Sequence, residues 1–300
     1  MSRIAAWPPA VRAVVWMVGA LASFTAMGVA GRELAHTMGA FEISFFRAIG
    51  GLVIVAALIW RTGLAGARVR RWHLHLVRNV FHFMGQTLWF FGLSLLPLAT
   101  VFALEFTMPI WTVILAVIFL RERMNPGRLV AVALGFVGVL VIVRPGAEVF
   151  DPASLIVVLA AFGFAVSNVC TKPLSRDNTP FAIILMMNLI QAPLGLFAAS
   201  FDWVWPGPDD LPWLLVVGTA GLTAHFCITR AFMLADASLI LPIDYLRLPL
   251  AAGLGYLLYD ESVELALLIG AVIIFVGNSY SIRYEARLHK SNKETKKGGA

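Results

Sequence analysis

Several charged side chains lie inside long apolar stretches of this sequence, where they could bind a ligand or exchange protons. Four of them are Arg47, Glu105, Asp244 and Arg247. A charge is expensive inside a bilayer, so such residues usually pair with one another or face a polar cavity. A carboxylate in a cavity could hold a substrate ammonium group or exchange a proton. Since two of the four are positive and two negative, the alternative is a neutral intramembrane network that only fixes helix packing.

Polar and aromatic side chains at nearby positions could complete such a cavity. Histidine titrates near neutral pH, and indole rings offer faces for stacking. Interhelical hydrogen bonds and plain packing are the alternative roles for these residues. The substrate-cavity candidates are His82, Gln86, Trp89, Glu105, Trp111, His225, Asp244 and Tyr245.

Three prolines are candidate hinges, because proline removes a backbone hydrogen bond and kinks a helix. They are Pro109, Pro242 and Pro249. Proline is also tolerated in membrane helices for packing reasons alone, so a hinge is one of two interpretations.

The composition predicts that these residues are carried by transmembrane helices. Of the 300 residues, 60% are hydrophobic and 13% charged, and the mean hydropathy is +0.84. A soluble domain averages about 45–50% apolar and about 25% charged residues. We therefore predict an all-α integral membrane protein of ten transmembrane helices. The apolar runs lie near 12–31, 41–60, 76–95, 98–120, 128–143, 153–172, 180–200, 211–230, 238–258 and 264–282.

The basic residues predict the orientation. With the N-terminus in the cytoplasm, 18 of the 23 lysines and arginines fall in cytoplasmic segments, and only Arg32 and Arg144 fall in outside loops. This bias follows the positive-inside rule. We therefore expect a multi-pass protein of the bacterial inner membrane with both termini in the cytoplasm.

The two halves repeat. A shift of 139 residues places Glu122 on Glu261 and Glu105 on Asp244. Because each half has five spans, the second copy must be inverted, and inverted repeats around a central cavity are typical of secondary transporters. We predict a first repeat over residues 1–144, a second over 145–284, and a basic cytoplasmic tail over 285–300.

Several segments resemble the EamA-type carriers of the drug/metabolite transporter superfamily. These are FFR at residues 45–47, FTMPIWTVILAVIFLRER at 106–123, GFVGVLVIV at 135–143 and ASLILPIDYLRLPLAAGLGYLLYDE at 237–261. The resemblance covers residues 12–282. It implies a ten-helix carrier whose cavity is lined mainly by the third, fourth, eighth and ninth spans. Among bacterial members the chain looks most like exporters of aromatic and other amino acids. Arg247 departs from the pattern, because family members usually have uncharged residues there.

The predicted function is transport by alternating access, with export or facilitated movement of aromatic and neutral amino acids as the leading hypothesis. The alternative is another amphipathic or cationic metabolite, such as S-adenosylmethionine, a quaternary amine or a drug. Proton coupling and uniport both stay open. A membrane-embedded enzyme built on a pair such as His82 and Glu105 is a distant alternative, so we expect no enzyme. The sequence has no phosphate-binding G-x-x-x-x-G-K-[ST] loop, which excludes an ATP-driven pump within this chain. We expect no cofactor, metal or nucleic-acid partner, a small-molecule substrate, a lipid bilayer around the protein, and a monomer or weak homodimer.

Overall fold

The computed structural model describes residues 8–63, 68–122, 124–144, 151–235 and 243–298. Eleven α-helices lie in this part of the chain, with one 3-10 turn at Pro208–Asp210. The helices are α1 (Pro9–Leu34), α2 (Ala40–Thr62), α3 (Trp72–Leu95), α4 (Leu98–Glu105), α5 (Met108–Leu120), α6 (Pro126–Val143), α7 (Ala153–Asp177), α8 (Pro180–Ala199), α9 (Leu211–Phe232), α10 (Arg247–Tyr259) and α11 (Leu265–Gly298). The predicted all-α membrane fold of two inverted five-helix repeats is confirmed.

Within the described residues, eight segments are long and apolar enough to cross a membrane. Helices α4 and α5 together form one of them, the fourth span. The third span, α3, is more polar because it carries many of the candidate site residues. In the ninth span, α10 has 13 residues, and residues 236–242 lie outside the described part of the chain.

The fourth and ninth spans are interrupted at repeat-related positions. Helix α4 ends at Glu105, and α5 begins at Met108 after a two-residue turn. In the ninth span, Ile243 and Asp244 are helical, and a turn then precedes α10. Irregular backbone at membrane depth is tolerated where protein buries it or where it lines a cavity. The two breaks therefore mark the place where a site is expected.

Packing follows the inverted repeat. Helix α3 packs along α7, and its repeat mate α9 packs along α1, the mate of α7. Helix α4 precedes the break in the fourth span and α10 follows the break in the ninth, and these two half-spans pack on each other. The central buried cluster, with Phe90, Leu98 and Phe102 fully enclosed, fills this half of the bundle. It lies away from the side on which α1 begins and α11 ends, which we call the terminal side.

Glycine allows α2 and α9 to cross at backbone contact. A Cβ atom at Gly50 would lie 2.6 Å from Cα of Gly218. Small residues permit such close approach between membrane helices, so this crossing leaves no room for a side chain at Gly50.

We predict that Gly50→Leu lowers the free energy of unfolding by about 1–3 kcal/mol, because overpacking forces the two helices apart. Gly253→Leu is the matched control, since a Cβ there meets no atom within 4 Å, and it should change stability by less than about 0.5 kcal/mol. Thermal unfolding in detergent measures both. Equal midpoints for the two variants would contradict the close crossing.

Candidate functional site at the two helix breaks

The two breaks bring three charged side chains together. Nη1 of Arg247 donates to Oε1 of Glu105 at 3.2 Å, and its Nη2 donates to Oδ2 of Asp244 at 2.8 Å. The indole Nε1 of Trp89 donates to the other oxygen of Glu105 at 2.9 Å. The group Glu105, Asp244 and Arg247, here called the triad, has a net charge of −1 when all three members are ionised.

Aromatic rings enclose the arginine of the triad. The guanidinium carbon of Arg247 lies 4.7 Å from the ring centre of Phe24 and 4.9 Å from that of Phe106, which are cation–π distances. Oδ1 of Asp244 and Nε of Arg247 are buried without a hydrogen-bond partner among the described residues. A buried polar atom without a partner is costly, so the unpaired Asp244 oxygen can accept a donor from a ligand.

A cavity of about 350 Å³ lies beside the triad. Its lining residues are Phe24, Met27, His82, Gln86, Trp89, Glu105, Met108, Phe164, Asn168, His225, Ile228, Phe232, Asp244 and Arg247. The first and sixth spans thus contribute, besides the third, fourth, eighth and ninth. The volume lies at the lower end of the range for small-molecule sites. Apolar and aromatic walls with a few polar groups can enclose an amphipathic metabolite.

A hydrogen-bonded chain runs from a second buried arginine to this cavity. Nη2 of Arg47 donates to Oε1 of Gln191, and Nε2 of Gln191 lies 3.0 Å from Nδ1 of His82. Because the glutamine amide donates here, Nδ1 of His82 accepts and the neutral ring carries its proton on Nε2. Arg47 is 5% exposed and forms no ion pair within the described residues. It therefore does not join the triad, and the sequence hypothesis of one four-residue charge network is not what the geometry shows.

A third buried arginine lies near Arg47. Arg78 donates to Oδ1 of Asn79 at 2.6 Å and to the hydroxyl of Thr171 at 2.9 Å. Both acceptors are uncharged, and the charges of Arg47 and Arg78 repel each other. The region around His82 is therefore electropositive, whereas the triad is electronegative.

Two cavity candidates lie elsewhere. The ring of Trp111 packs edge-on against Phe136 and Phe162, because its face of α5 is turned towards α6 and α7. Tyr245 borders a separate cavity of about 230 Å³ on the other side of the triad, where its hydroxyl accepts from Asn278 at 2.5 Å. The other six candidates line the 350 Å³ cavity.

The hinge candidates lie just past the breaks. Pro109 is the second residue of α5 and Pro249 the third of α10. Each proline lies in the first turn of its helix and does not kink it, because the N–H groups of the first turn have no intrahelical acceptor and the missing N–H of proline costs no hydrogen bond there. Pro242 lies outside the described residues.

A model of the EamA-like transporter family matches residues 11–144 and again residues 151–282. The chain belongs to this family. It is a multi-pass membrane transporter of the drug/metabolite type, as the motifs predicted.

Relatives of this EamA-like transporter are named for different substrates. An S-adenosylmethionine uptake transporter from Rickettsia felis is 30% identical over 280 residues, which are 93% of this chain and 95% of the relative. One from Rickettsia bellii is 30% identical over 272 residues, 91% of this chain and 94% of the relative. A riboflavin transporter from Brucella anthropi is 29% identical over 278 residues, 90% and 98% of the two chains. A solved crystal structure superposes with a TM-score of 0.64 at 18% identity, covering 92% of this chain and 98% of the other, which shows the fold alone.

An ion pair joins the two repeats of the EamA-like transporter on the side opposite to the terminal side. Arg32 donates to the carbonyl oxygen of Leu96 at 2.6 Å and to Glu261 at 2.8 Å, and the other oxygen of Glu261 accepts from the backbone N–H of Leu98 at 2.8 Å. Arg32 thereby caps the end of α3, and Glu261 caps the start of α4. These contacts join the first repeat to the second.

The repeat-related contact lies on the terminal side. Glu122, the repeat mate of Glu261, binds Lys172 and Arg128. The Lys172 hydrogen bond, together with Arg128, holds the pKa of Glu122 below its ordinary value. Arg121 and Asp260, which directly follow α5 and α10, share a left-handed backbone with φ of 55° and 54°. The inverted repeat therefore extends to these details.

We predict that Arg32→Gln makes the cavity more accessible from the side opposite to the terminal side. The substitution removes the charge that joins the end of α3 to Glu261, which in turn binds the start of α4. A cysteine introduced at Phe24 in a background without Cys170 and Cys227 should then react several-fold faster with a membrane-impermeant thiol reagent added from the opposite side. Lys172→Gln, which breaks the repeat-related pair, is the matched control and should not raise that rate. An unchanged rate in Arg32→Gln would show that the pair is no barrier.

Sequence reasoning missed several residues that shape the site. Gln191, Met27, Phe164 and Phe24 are not among the sequence-predicted site residues. Apolar cavity walls carry no sequence signal that separates them from lipid-facing or core positions. For Gln191 the signal was present, since a buried amide inside a span needs a partner.

Proposed function

We propose that this transporter moves a small organic cation or zwitterion across the bacterial inner membrane by alternating access, and that the cavity beside the triad is its substrate site. One observation carries the proposal: the two breaks place an excess negative charge and an unpaired carboxylate oxygen, Oδ1 of Asp244, beside an aromatic cavity. An ammonium or sulfonium group satisfies both the charge and the aromatic faces.

Two substrate classes fit this chemistry. S-adenosylmethionine carries a sulfonium, an ammonium and a flat base, and the names of the Rickettsia relatives support it. Aromatic and neutral amino acids, the leading hypothesis from the motifs, carry an ammonium and an apolar side chain. We place S-adenosylmethionine first, because the relatives add to the geometry. Riboflavin, named for other relatives, has no cationic group that would use the triad.

Alternating access has a structural counterpart in the sealed opposite side. Core packing and the Arg32–Glu261 pair fill that half, while the cavity lining extends to Phe232 at the terminal-side end of α9. We propose that the terminal side is cytoplasmic, as the distribution of lysines and arginines predicts. The turns before Pro109 and Pro249 are the proposed hinges between the two access states.

We propose no catalytic step. His82 and Glu105 face the same cavity, but each is bound elsewhere: Nδ1 of His82 to Gln191, and both oxygens of Glu105 to Arg247 and Trp89. His82 and Glu105 therefore do not form the mutual hydrogen bond that a reactive acid–base pair requires.

The test is uptake into proteoliposomes that contain the purified protein. Labelled S-adenosylmethionine and labelled phenylalanine are the two probes, and riboflavin and choline are competitors. We expect saturable uptake of S-adenosylmethionine that unlabelled phenylalanine or S-adenosylmethionine inhibits and riboflavin does not. Imposed pH gradients in the same vesicles separate proton exchange from uniport.

Uptake that equals that of empty liposomes for both probes, in protein shown to be folded by gel filtration, would contradict the proposed substrate classes. Inhibition by riboflavin alone would favour the second group of relatives and leave the triad without a role in recognition.

A further inference from the structure

Buried donors without acceptors gather on one side of the cavity. Nε of Arg47 and Nε2 of Gln86 are buried without a hydrogen-bond partner among the described residues. Nε2 of His82, which the Gln191 contact leaves protonated, is a third donor in this region. His82 and Gln86 line the cavity directly. Three neighbouring groups thus offer donors, and two of these donors have no acceptor among the described residues.

The charge in the same region is uncompensated. Arg47 and Arg78 are both at least nine-tenths buried, and among the described residues neither forms an ion pair. Arg47 lies behind the cavity wall, because Gln191 links its guanidinium group to His82, a residue of the lining. A buried charge without a partner is strongly unfavourable, so an anionic ligand group would be stabilised here.

We propose that Arg47, His82 and Gln86 form an anion subsite that binds the carboxylate group of the substrate. This deepens the proposed function and rests on it: the cationic group of the substrate lies at the triad and its carboxylate lies at the subsite. The subsite selects zwitterions with an amino-acid headgroup. It rejects quaternary amines and other cations without a carboxylate, because their binding leaves the donors unpaired.

The subsite arises from the way the spans are arranged. Arg47 lies on α2, Gln191 on α8, and His82 and Gln86 lie one turn apart on α3. Gln191 fixes both neighbours at once, because its oxygen accepts from Arg47 and its amide donates to His82. The positive charge of Arg47 therefore acts at the wall, while His82 and Gln86 make the direct contacts.

The test compares two probes that differ only in the carboxylate, S-adenosylmethionine and decarboxylated S-adenosylmethionine, in the proteoliposome assay. The wild-type protein should have a KM for the decarboxylated compound at least about tenfold higher, since a hydrogen bond to a charged group contributes about 1.5–3 kcal/mol. Arg47→Gln should raise the KM for S-adenosylmethionine several-fold, because it removes the buried positive charge that attracts the carboxylate, and it should change the KM for the decarboxylated compound less than about twofold. Arg47→Lys should recover part of the loss.

Arg230→Gln is the matched control, because it removes an exposed arginine that lies over Trp16 and Phe226 away from the subsite. Equal effects of Arg47→Gln on both probes, or no effect on either, would overturn the anion subsite while leaving the proposed function intact.

A binding measurement keeps the subsite testable if neither probe is transported. Benzoate should raise the midpoint temperature of unfolding of the purified wild-type protein by a few degrees, benzamide should not, and Arg47→Gln should abolish the shift. A benzoate shift without transport supports the subsite and contradicts the proposed substrates. The absence of a shift, together with the absence of transport, overturns both.

Discussion

Arg247→Met is expected to destabilise the protein by about 3–5 kcal/mol, because it leaves the carboxylates of Glu105 and Asp244 buried without a counter-charge. The midpoint of thermal unfolding in detergent should fall by roughly 10 °C, and transport should be lost. The effect is large because Arg247 is the shared partner of both carboxylates and its side chain is only 5% exposed.

Two comparisons isolate the buried charge as the cause. Arg144 forms an ion pair with Glu264, and the two side chains are 35% and 60% exposed. Arg144→Met should therefore lower the free energy of unfolding by at most about 1 kcal/mol. Adding Glu105→Gln and Asp244→Asn to Arg247→Met removes all three charges and should recover much of the stability, but not transport. If Arg247→Met unfolds at the wild-type temperature, the three charges do not form a buried triad.

Asp244→Asn is the second change with a large expected effect, and it acts on transport and not on stability. The remaining pair of Glu105 and Arg247 is neutral, so the fold keeps a compensated charge. The substrate cation loses both the excess negative charge and the unpaired oxygen, Oδ1 of Asp244. Loss of one partner of a buried charge pair costs about 2–5 kcal/mol, so the KM for S-adenosylmethionine should rise about thirtyfold or more.

Glu264→Gln is the matched control for this variant, because it removes an exposed carboxylate far from the cavity. Glu105→Gln should impair transport less than Asp244→Asn, since both oxygens of Glu105 are already occupied by Arg247 and Trp89. A wild-type KM in Asp244→Asn would place the substrate cation elsewhere.

The sequence predicted the fold, and it singled out the charged residues of the candidate site, because both leave strong signals. Runs of about 20 apolar residues mark spans, and the cost of a charge in a membrane singled out Glu105, Asp244 and Arg247. The repeat register paired Glu105 with Asp244, and the structure brings both carboxylates to one arginine.

The sequence did not predict which intramembrane charge pairs with which. Arg47 has the same sequence signature as Arg247, yet it binds an amide and forms no ion pair among the described residues. That difference depends on helix rotation and on long-range contacts such as Arg47 with Gln191, 144 positions apart. Trp111 is a second example, because the sequence alone does not separate an indole that packs between helices from one that stacks on a ligand. Only the packing of α5 against α6 and α7 separates the two roles.

A structure of the protein with S-adenosylmethionine bound would test the proposed substrate site directly. We expect ligand density in the cavity between the two helix breaks, with the cationic groups beside Asp244 and the carboxylate beside His82 and Gln86. Density outside this cavity, or a ligand in the reverse orientation, would contradict it.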